Sequence, residues 1–317
     1  MARANMVGGE GQARAQAYQS TAAWFGRNGP GYLFILPMVV FLVMYQAYPI
    51  IRVFIVSFTN YQYLNPGLEQ FVGLTNYINA LQDSDVWNGL RIALEFTVIF
   101  IPGGVLFPVF LALLLDRVRV PWLAGIYRTV LYIPALIPGP LVFILWNWVY
   151  NPSLGVLNWL IIDVFHLATH ANPPLWLGSD LWAVPAIAFM EWWWGLGYHT
   201  LFMMVGLSTI PSELYEAARL DGASEPRTAW HVSLPLLKPM LLIILVLRTG
   251  TAFGLLVEYL VLRTASGSTQ SWTVYMYDLA FQNGQLPWGY AAAIGWIGAI
   301  CMLIAVGVQY RVLRTDY

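Results

Sequence analysis

Six stretches, each of roughly 20 mostly apolar residues, recur along this chain of 317 residues: Leu33–Phe58, Ile92–Leu115, Thr129–Tyr150, Leu181–Leu207, Met240–Leu260 and Tyr290–Val308. A run of that length is what a helix needs to cross a bilayer, where every backbone polar group must be satisfied within the segment. Charge content agrees. Only 10% of the residues are charged, 15 Lys+Arg against 16 Asp+Glu, where a water-soluble domain carries about 25%. So few charges cannot solvate a globule of this mass, which excludes a soluble enzyme. A net charge of -1 offers no basic stripe for nucleic acid. The lone Cys301 sits in an apolar run, giving neither a disulfide framework nor a thiolate metal site. The first stretch is too long for a cleavable signal peptide, is preceded by polar and small residues, and lacks a small-residue cleavage site. The expected fold class is an all-α integral membrane protein with six transmembrane helices.

The basic residues orient it. Arg3, Arg14 and Arg27 precede the first stretch; Arg117, Arg119 and Arg128 lie in the second connection, Arg219, Arg227 and Lys238 in the fourth, and Arg311 and Arg314 at the C-terminal end. The connections at 59–91 and 151–180 hold only Arg91, and the fifth only Arg263. Because positive residues stay on the cytoplasmic side, both termini and the even-numbered connections are expected inside. Residues 1–30 read as a cytoplasmic tail and 31–317 as one membrane domain without internal repeats.

The connection at 211–241 is more than a tether. Ser212 is placed to cap a helix, Glu213 sits in its first turn, and Leu214, Ala217 and Ala218 share a face. Gly222 can take the left-handed conformation that ends such a helix. Ser224 caps a second one with Glu225 and Pro226 in its first turn, and Pro235 marks re-entry into the membrane. Two adjacent alanines allow close approach by another surface; the alternative is an amphipathic linker lying at the interface.

Glu216-Ala217-Ala218, then Gly222, then Val232-x-Leu234-Pro235 resembles the EAA motif of ABC-importer permeases, with Val for the usual Ile. The wider pattern is similar to the carbohydrate-uptake, maltose-type branch. Phe71-Val72-Gly73-Leu74-Thr75-Asn76-Tyr77, Tyr127-Arg128-Thr129 with Ile133-Pro134, and Gly155-x-x-Asn158 support it. Ser266-Gly267-Ser268 departs from it, where the family often has Gly-Gly-Pro. The resemblance implies a type I importer permease in the bacterial inner membrane. Its partners would be a second homologous permease, two ATPase subunits and an extracytoplasmic solute-binding protein. By the same resemblance Glu216 would be the polar contact with the ATPase, Ala217 and Ala218 the close-packing face, Gly222 the turn, and Leu234-Pro235 the end of the motif. ATP and Mg would be bound by the partner ATPases. This chain has no cofactor site of its own, since its only lysine, Lys238, lies in Leu-Leu-Lys-Pro with no glycine near, and a P-loop needs G-x-x-x-x-G-K-[ST].

Charges within the apolar stretches cost at least about 2.5–3.5 kcal/mol each at the bilayer centre and so call for a partner or a cavity. They are Glu95, Glu191, Arg248 and Glu258, with Arg52 near an outer end where it can snorkel. Glu191 precedes Trp192-Trp193-Trp194-Gly195-Leu196-Gly197-Tyr198-His199. Aromatic faces beside a carboxylate suit a polyhydroxylated ring, and the family's substrate contacts lie on the matching helices. Glu191, Trp193, Trp194, Tyr198, Thr251 and Glu258 are therefore the expected pathway lining. The competing reading is that Glu191 or Glu258 pairs with Arg248 to fix helix packing while the tryptophans face lipid. Three acids against Arg248 favour a neutral sugar. His166 and His170 have i,i+4 spacing without a clear third metal ligand, and Gly250-x-x-x-Gly254 reads as a helix-packing notch. The functional expectation is a sugar or oligosaccharide permease subunit; the rivals are a permease for glycerol phosphate or a similar solute, and an autonomous proton-coupled carrier.

Overall fold

The computed structural model describes residues 28–29, 31–118, 120–263 and 269–313, with Val312 and Leu313 by backbone alone. Residues 1–27 of the N-terminal tail, Arg119, Ser266-Gly267-Ser268 and Arg314 lie outside the described residues. Among those described the chain is helical, with no strand and only two isolated bridges, Thr59 with Phe71 and Thr169 with Asn172. It divides into two compact units, residues 1–56 and 57–317.

The main described element of the first unit is a helix, α1 (Gly31–Val56), predominantly apolar and long enough to span a bilayer. A π turn over Val43–Ala47 interrupts it, with the Tyr48 amide reaching back to the Val43 carbonyl. Pro49 has no amide to continue the ladder, and the π turn takes up the irregularity just before it.

The second unit runs α2 (Thr75–Gln82), α3 (Ser84–Asp116), α4 (Pro121–Tyr132) with a 3-10 turn at Ile133–Leu136, and α5 (Gly139–Val149). Then come α6 (Val156–Trp159), α7 (Ala183–Ser208), α8 (Ser212–Leu220) and α9 (Glu225–Thr228). The last four are α10 (Lys238–Phe253), α11 (Val257–Val261), α12 (Trp272–Tyr277) and α13 (Trp288–Leu313). α3 and α7 form the most extensive helix pair, with α10 next against α3. α3 earns that place by pattern: its buried residues include Val86, Leu90, Ala93, Phe96, Phe100, Gly104, Pro108, Ala112 and Leu115, a stripe at three- and four-residue intervals. α7 crosses the end of α4 at Gly197, where a Cβ would overlap the carbonyl of Leu131 and the Cα of Tyr132. Only glycine lets the two backbones come so close.

Among the described residues four helices have the length and apolarity of a membrane span: α1, α3, α10 with α11 (Lys238–Val261) and α13. Two of the six expected stretches differ. The third is no straight helix; the segments Pro121–Leu136 and Gly139–Val149 meet at 93°. Pro134, Pro138 and Pro140 remove three amide donors, and Ile137, preceding a proline, is extended at ψ 127. The fourth is a single helix, α7, of 26 residues, but is not among those apolar enough by composition. Its length, about 39 Å at 1.5 Å per residue, suffices to cross. Part of its surface is covered by protein instead: Ile187, Ala188, Met190 and Met203 are fully buried, while Phe189 and Val205 stay exposed.

Two family-like motifs have local structural duties. Asn76 is buried and donates to the carbonyls of Ser57 (2.9 Å) and Thr59 (2.8 Å), tying α2 to the start of this unit. Asn158 is 2% exposed; its amide donates to the carbonyls of Pro152 (2.8 Å) and Pro174 (3.0 Å), and its oxygen accepts from Trp176 Nε1 (2.7 Å). One side chain thus holds both ends of the 151–180 loop.

Candidate functional site

Position 191 on α7 begins a face that recurs at 195 and 198–199, one or two turns on. On α10, Leu247, Arg248 and Thr251 make the corresponding face. Between them lies a cavity of about 300 Å³ lined by Ala135, Glu191, Trp194, Gly195, Tyr198, His199, Leu247, Arg248 and Thr251. Four of the six expected lining residues therefore meet in one place. Trp193 does not line it; its ring packs edge-to-face on Trp146 at 5.5 Å. Glu258 lies outside it on α11 and is half-buried.

The tryptophans have backbone work. Trp194 Nε1 donates to the Ile137 carbonyl (3.1 Å), a group exposed by the proline-broken bend, and Trp192 Nε1 donates to the Phe100 carbonyl (2.7 Å). Trp194 therefore both closes the bend and walls the cavity, which the expectation of a purely substrate-facing or lipid-facing role did not separate.

Arg248 is 4% exposed and sits over the Phe100 ring, 4.5 Å from its centroid. Gly104 and Gly195 leave the room it occupies: a Cβ at either would come within 3.0 Å of the guanidinium. Its Nη2 lies 3.1 Å from His199 Nδ1, but that nitrogen is also 2.7 Å from the Gly195 carbonyl. A proton on Nδ1 serves the carbonyl and leaves no lone pair there for Arg248. Arg248 Nε and Glu191 Oε1 have no hydrogen-bond partner, and among the described residues no ion pair joins Arg248 to Glu191 or Glu258. The helix-packing ion pair is thus not formed. Glu95 is paired instead with Arg91 (2.8 Å) one turn away. His199 was not among the expected lining residues; its i,i+8 relation to Glu191 was the available signal. A buried fork of donors, a buried carboxylate and an indole wall can hold a molecule that offers both hydroxyl donors and hydroxyl acceptors.

The connection at 211–241 folds as helix, stop, helix. α8 ends at Gly222, which has φ +73. Ser212 is the first residue of α8 rather than its cap; Pro211 holds the cap position and no side chain bonds there. Ser224 does precede α9, again without a side-chain bond. Leu214, Glu216, Ala217 and Leu220 are exposed, Leu220 by 89%, while Ala218 is half-buried beside the inward-turned Tyr215. The two alanines therefore divide between an outer and an inner face. Leu234 and Pro235 lie in the short helical turn Leu234–Leu236 just before α10.

Other features read from the sequence take simpler forms. His170 Nε2 pairs with Asp163 Oδ1 (3.0 Å) and His166 Nδ1 contacts the Ile162 carbonyl (3.0 Å). Among the described residues no three His, Cys, Asp or Glu side chains converge as metal ligands. Among the described residues nothing lies within 4 Å of where a Cβ on Gly250 would stand, and Gly254 caps α10.

Residues 104–315 match the family described as binding-protein-dependent transport system inner membrane component. The chain is 30% identical over 285 residues to the trehalose/maltose transport system permease protein MalF of Thermococcus litoralis, covering 90% of this chain and 93% of that one. It is 29% identical over 288 residues to the arabinooligosaccharides transport system permease protein AraP of Bacillus subtilis, covering 89% and 87%. A solved bacterial ABC transporter involved in the import of the acidic polysaccharide alginate has a chain of the same fold, with a TM-score of 0.78 over 92% of this chain and 96% of that one at 21% identity. With its bundle of membrane-length helices and a family match over the greater part of its length, the chain belongs to the binding-protein-dependent inner membrane permeases of ABC importers.

Proposed function

We propose that this permease passes a neutral sugar or oligosaccharide through the cavity between α7 and α10, driven by separate ATPase subunits that engage α8. The observation that carries the substrate class is the cavity's balance. With Glu95 paired elsewhere and Glu258 outside the cavity, one carboxylate and one guanidinium face it, both buried and both with an unpartnered atom. A neutral polyol satisfies both; an anion would answer Arg248 and oppose Glu191. The named substrates of the relatives, trehalose, maltose and arabinooligosaccharides, are of that class.

Coupling through α8 is supported by its exposed Leu214, Glu216, Ala217 and Leu220, and by the turn at Gly222. ATP and Mg belong to the ATPases, in keeping with a chain whose single lysine lies in no P-loop. A second permease, a solute-binding protein and a cytoplasmic location for both termini complete the proposal.

Purification of the tagged chain from its native membrane in mild detergent tests it. An ATPase pair, a second permease and a solute-binding protein should accompany it, and reconstituted vesicles should take up the neutral sugar that the binding protein carries, only with ATP. Proton-driven uptake by the chain alone would overturn the proposal.

A further inference from the structure

We propose that Tyr215 is a positioning residue whose hydroxyl, bonded to Ser233, carries displacement of α8 into α10, the helix that holds Arg248. The proposal rests on the importer reading above. The cytoplasmic connection is hollow-backed. A cavity of about 460 Å³ lies behind α8, with Leu113 and Arg117 from the end of α3 on one wall and Tyr215, Thr228 and Ser233 among the others. Across a void there are no contacting atoms to transmit a push. The load falls on the groups that bridge it.

Among the described residues two polar bridges span it, and they are unequal. Arg117 Nε lies 3.3 Å from Glu225 Oε2, but the two side chains are 43% and 68% exposed and Glu225 belongs to α9 rather than α8. An exposed pair of this kind holds little. Tyr215 OH lies 3.2 Å from Ser233 Oγ, and Ser233 is 3% exposed. The Tyr215 ring packs into the cluster that contains Leu237 and Ile244. The Ser233 carbonyl accepts the amide of Leu237 (2.9 Å), itself 1% exposed at the head of α10. From there α10 runs unbroken through Arg248, about 15 Å farther along the axis. Tyr215 thus has one end in the exposed α8 and the other on the root of the helix that lines the substrate cavity.

The test uses the purified complex in lipid vesicles, with Cys301→Ser and an environment-sensitive dye on Val257→Cys, a 45% exposed position just beyond α10. The readout is the fluorescence change on adding ATP with vanadate. Tyr215→Phe keeps the ring and Ser233→Ala the backbone. Each should shrink the change by about threefold to fivefold, the order that one lost hydrogen bond carries. The pair together should lose no more than either alone, with ATP hydrolysis and subunit stoichiometry unchanged, and Arg117→Ala should give the full signal. A full signal from both Tyr215→Phe and Ser233→Ala, or losses that multiply in the double variant, overturns the proposal. A wild-type complex that purifies without an ATPase, or shows no nucleotide response at position 257, would instead count against the importer reading.

Discussion

Arg248→Met is expected to make the chain more stable and the transporter worse. The guanidinium is 4% exposed, its Nε lacks an acceptor, and the nearest ring nitrogen, His199 Nδ1, serves the Gly195 carbonyl. A buried donor left unsatisfied costs about 1–3 kcal/mol, more when charged. The Phe100 face returns about 2 kcal/mol at this depth. Methionine keeps an unbranched apolar stem between Gly104 and Gly195, and replacing buried charges by apolar groups of similar volume is neutral or stabilising by about 1–4 kcal/mol. The expected net gain is about 1 kcal/mol, read by thermal denaturation in detergent with a thiol-reactive dye reporting exposure of Cys301, the chain's single cysteine. Uptake moves the other way. Losing a charge-assisted bond to substrate, about 1.5–3 kcal/mol, lowers uptake roughly 10- to 100-fold. A less stable variant that transports normally would show that Arg248 is a packing element and that the cavity is not the pathway.

Gly197→Ala should displace α7 from the end of α4 by forcing a methyl into the Leu131 carbonyl, costing about 1–3 kcal/mol of overpacking and lowering the yield of assembled protein in a detergent stability screen. Asn158→Ala strips partners from two carbonyls and an indole N–H, so amide exchange in the 151–180 loop should rise about tenfold or more, while exchange in α3 stays unchanged. Asp83 supplies a pH signature. Burial raises its pKa, but hydrogen bonds from Tyr290 and Tyr275 and from the Asp85 amide outweigh that and hold it below 3.8. A depressed folded value stabilises the folded state above the unfolded value and is lost as pH falls through the folded one. Loosening of α12 and α13 from the head of α3 should therefore set in below about pH 4, measured by proteolysis of the outer loops, and Asp83→Asn should remove that dependence.

What was readable in advance was what local chemistry decides. Apolar length marked α1, α3, α10 and α13, and the break between α8 and α9 followed from Gly222, whose left-handed backbone is a property of one residue. Where two local signals compete, the breakers outrank apolarity: Pro134, Pro138 and Pro140 turn an apolar run of membrane length into the 93° bend between α4 and α5. The tryptophans needed distance information. That Trp194 bonds a carbonyl 57 residues away, while Trp193 beside it packs on Trp146, depends on which helix arrives there. His199 stands outside the expected lining for the same reason, since what brings it to the cavity is the approach of Arg248, 49 residues on. Gly250 shows the converse, a promising spacing beside which no atom of the described residues comes within 4 Å.

The composition of α7 has a consequence for how the protein is made. A helix long enough to cross a bilayer but not apolar enough to favour lipid gains little by leaving the translocation machinery alone. Its stabilising environment is α3, whose striped face meets it along most of its length and which is synthesised first. Insertion of α7 should therefore be conditional, with α3 acting as its solvent. A substitution that roughens the α3 stripe at Phe96 or Phe100 would then be felt during biogenesis, as a fourth segment held back from the membrane, before it was ever felt as lost transport.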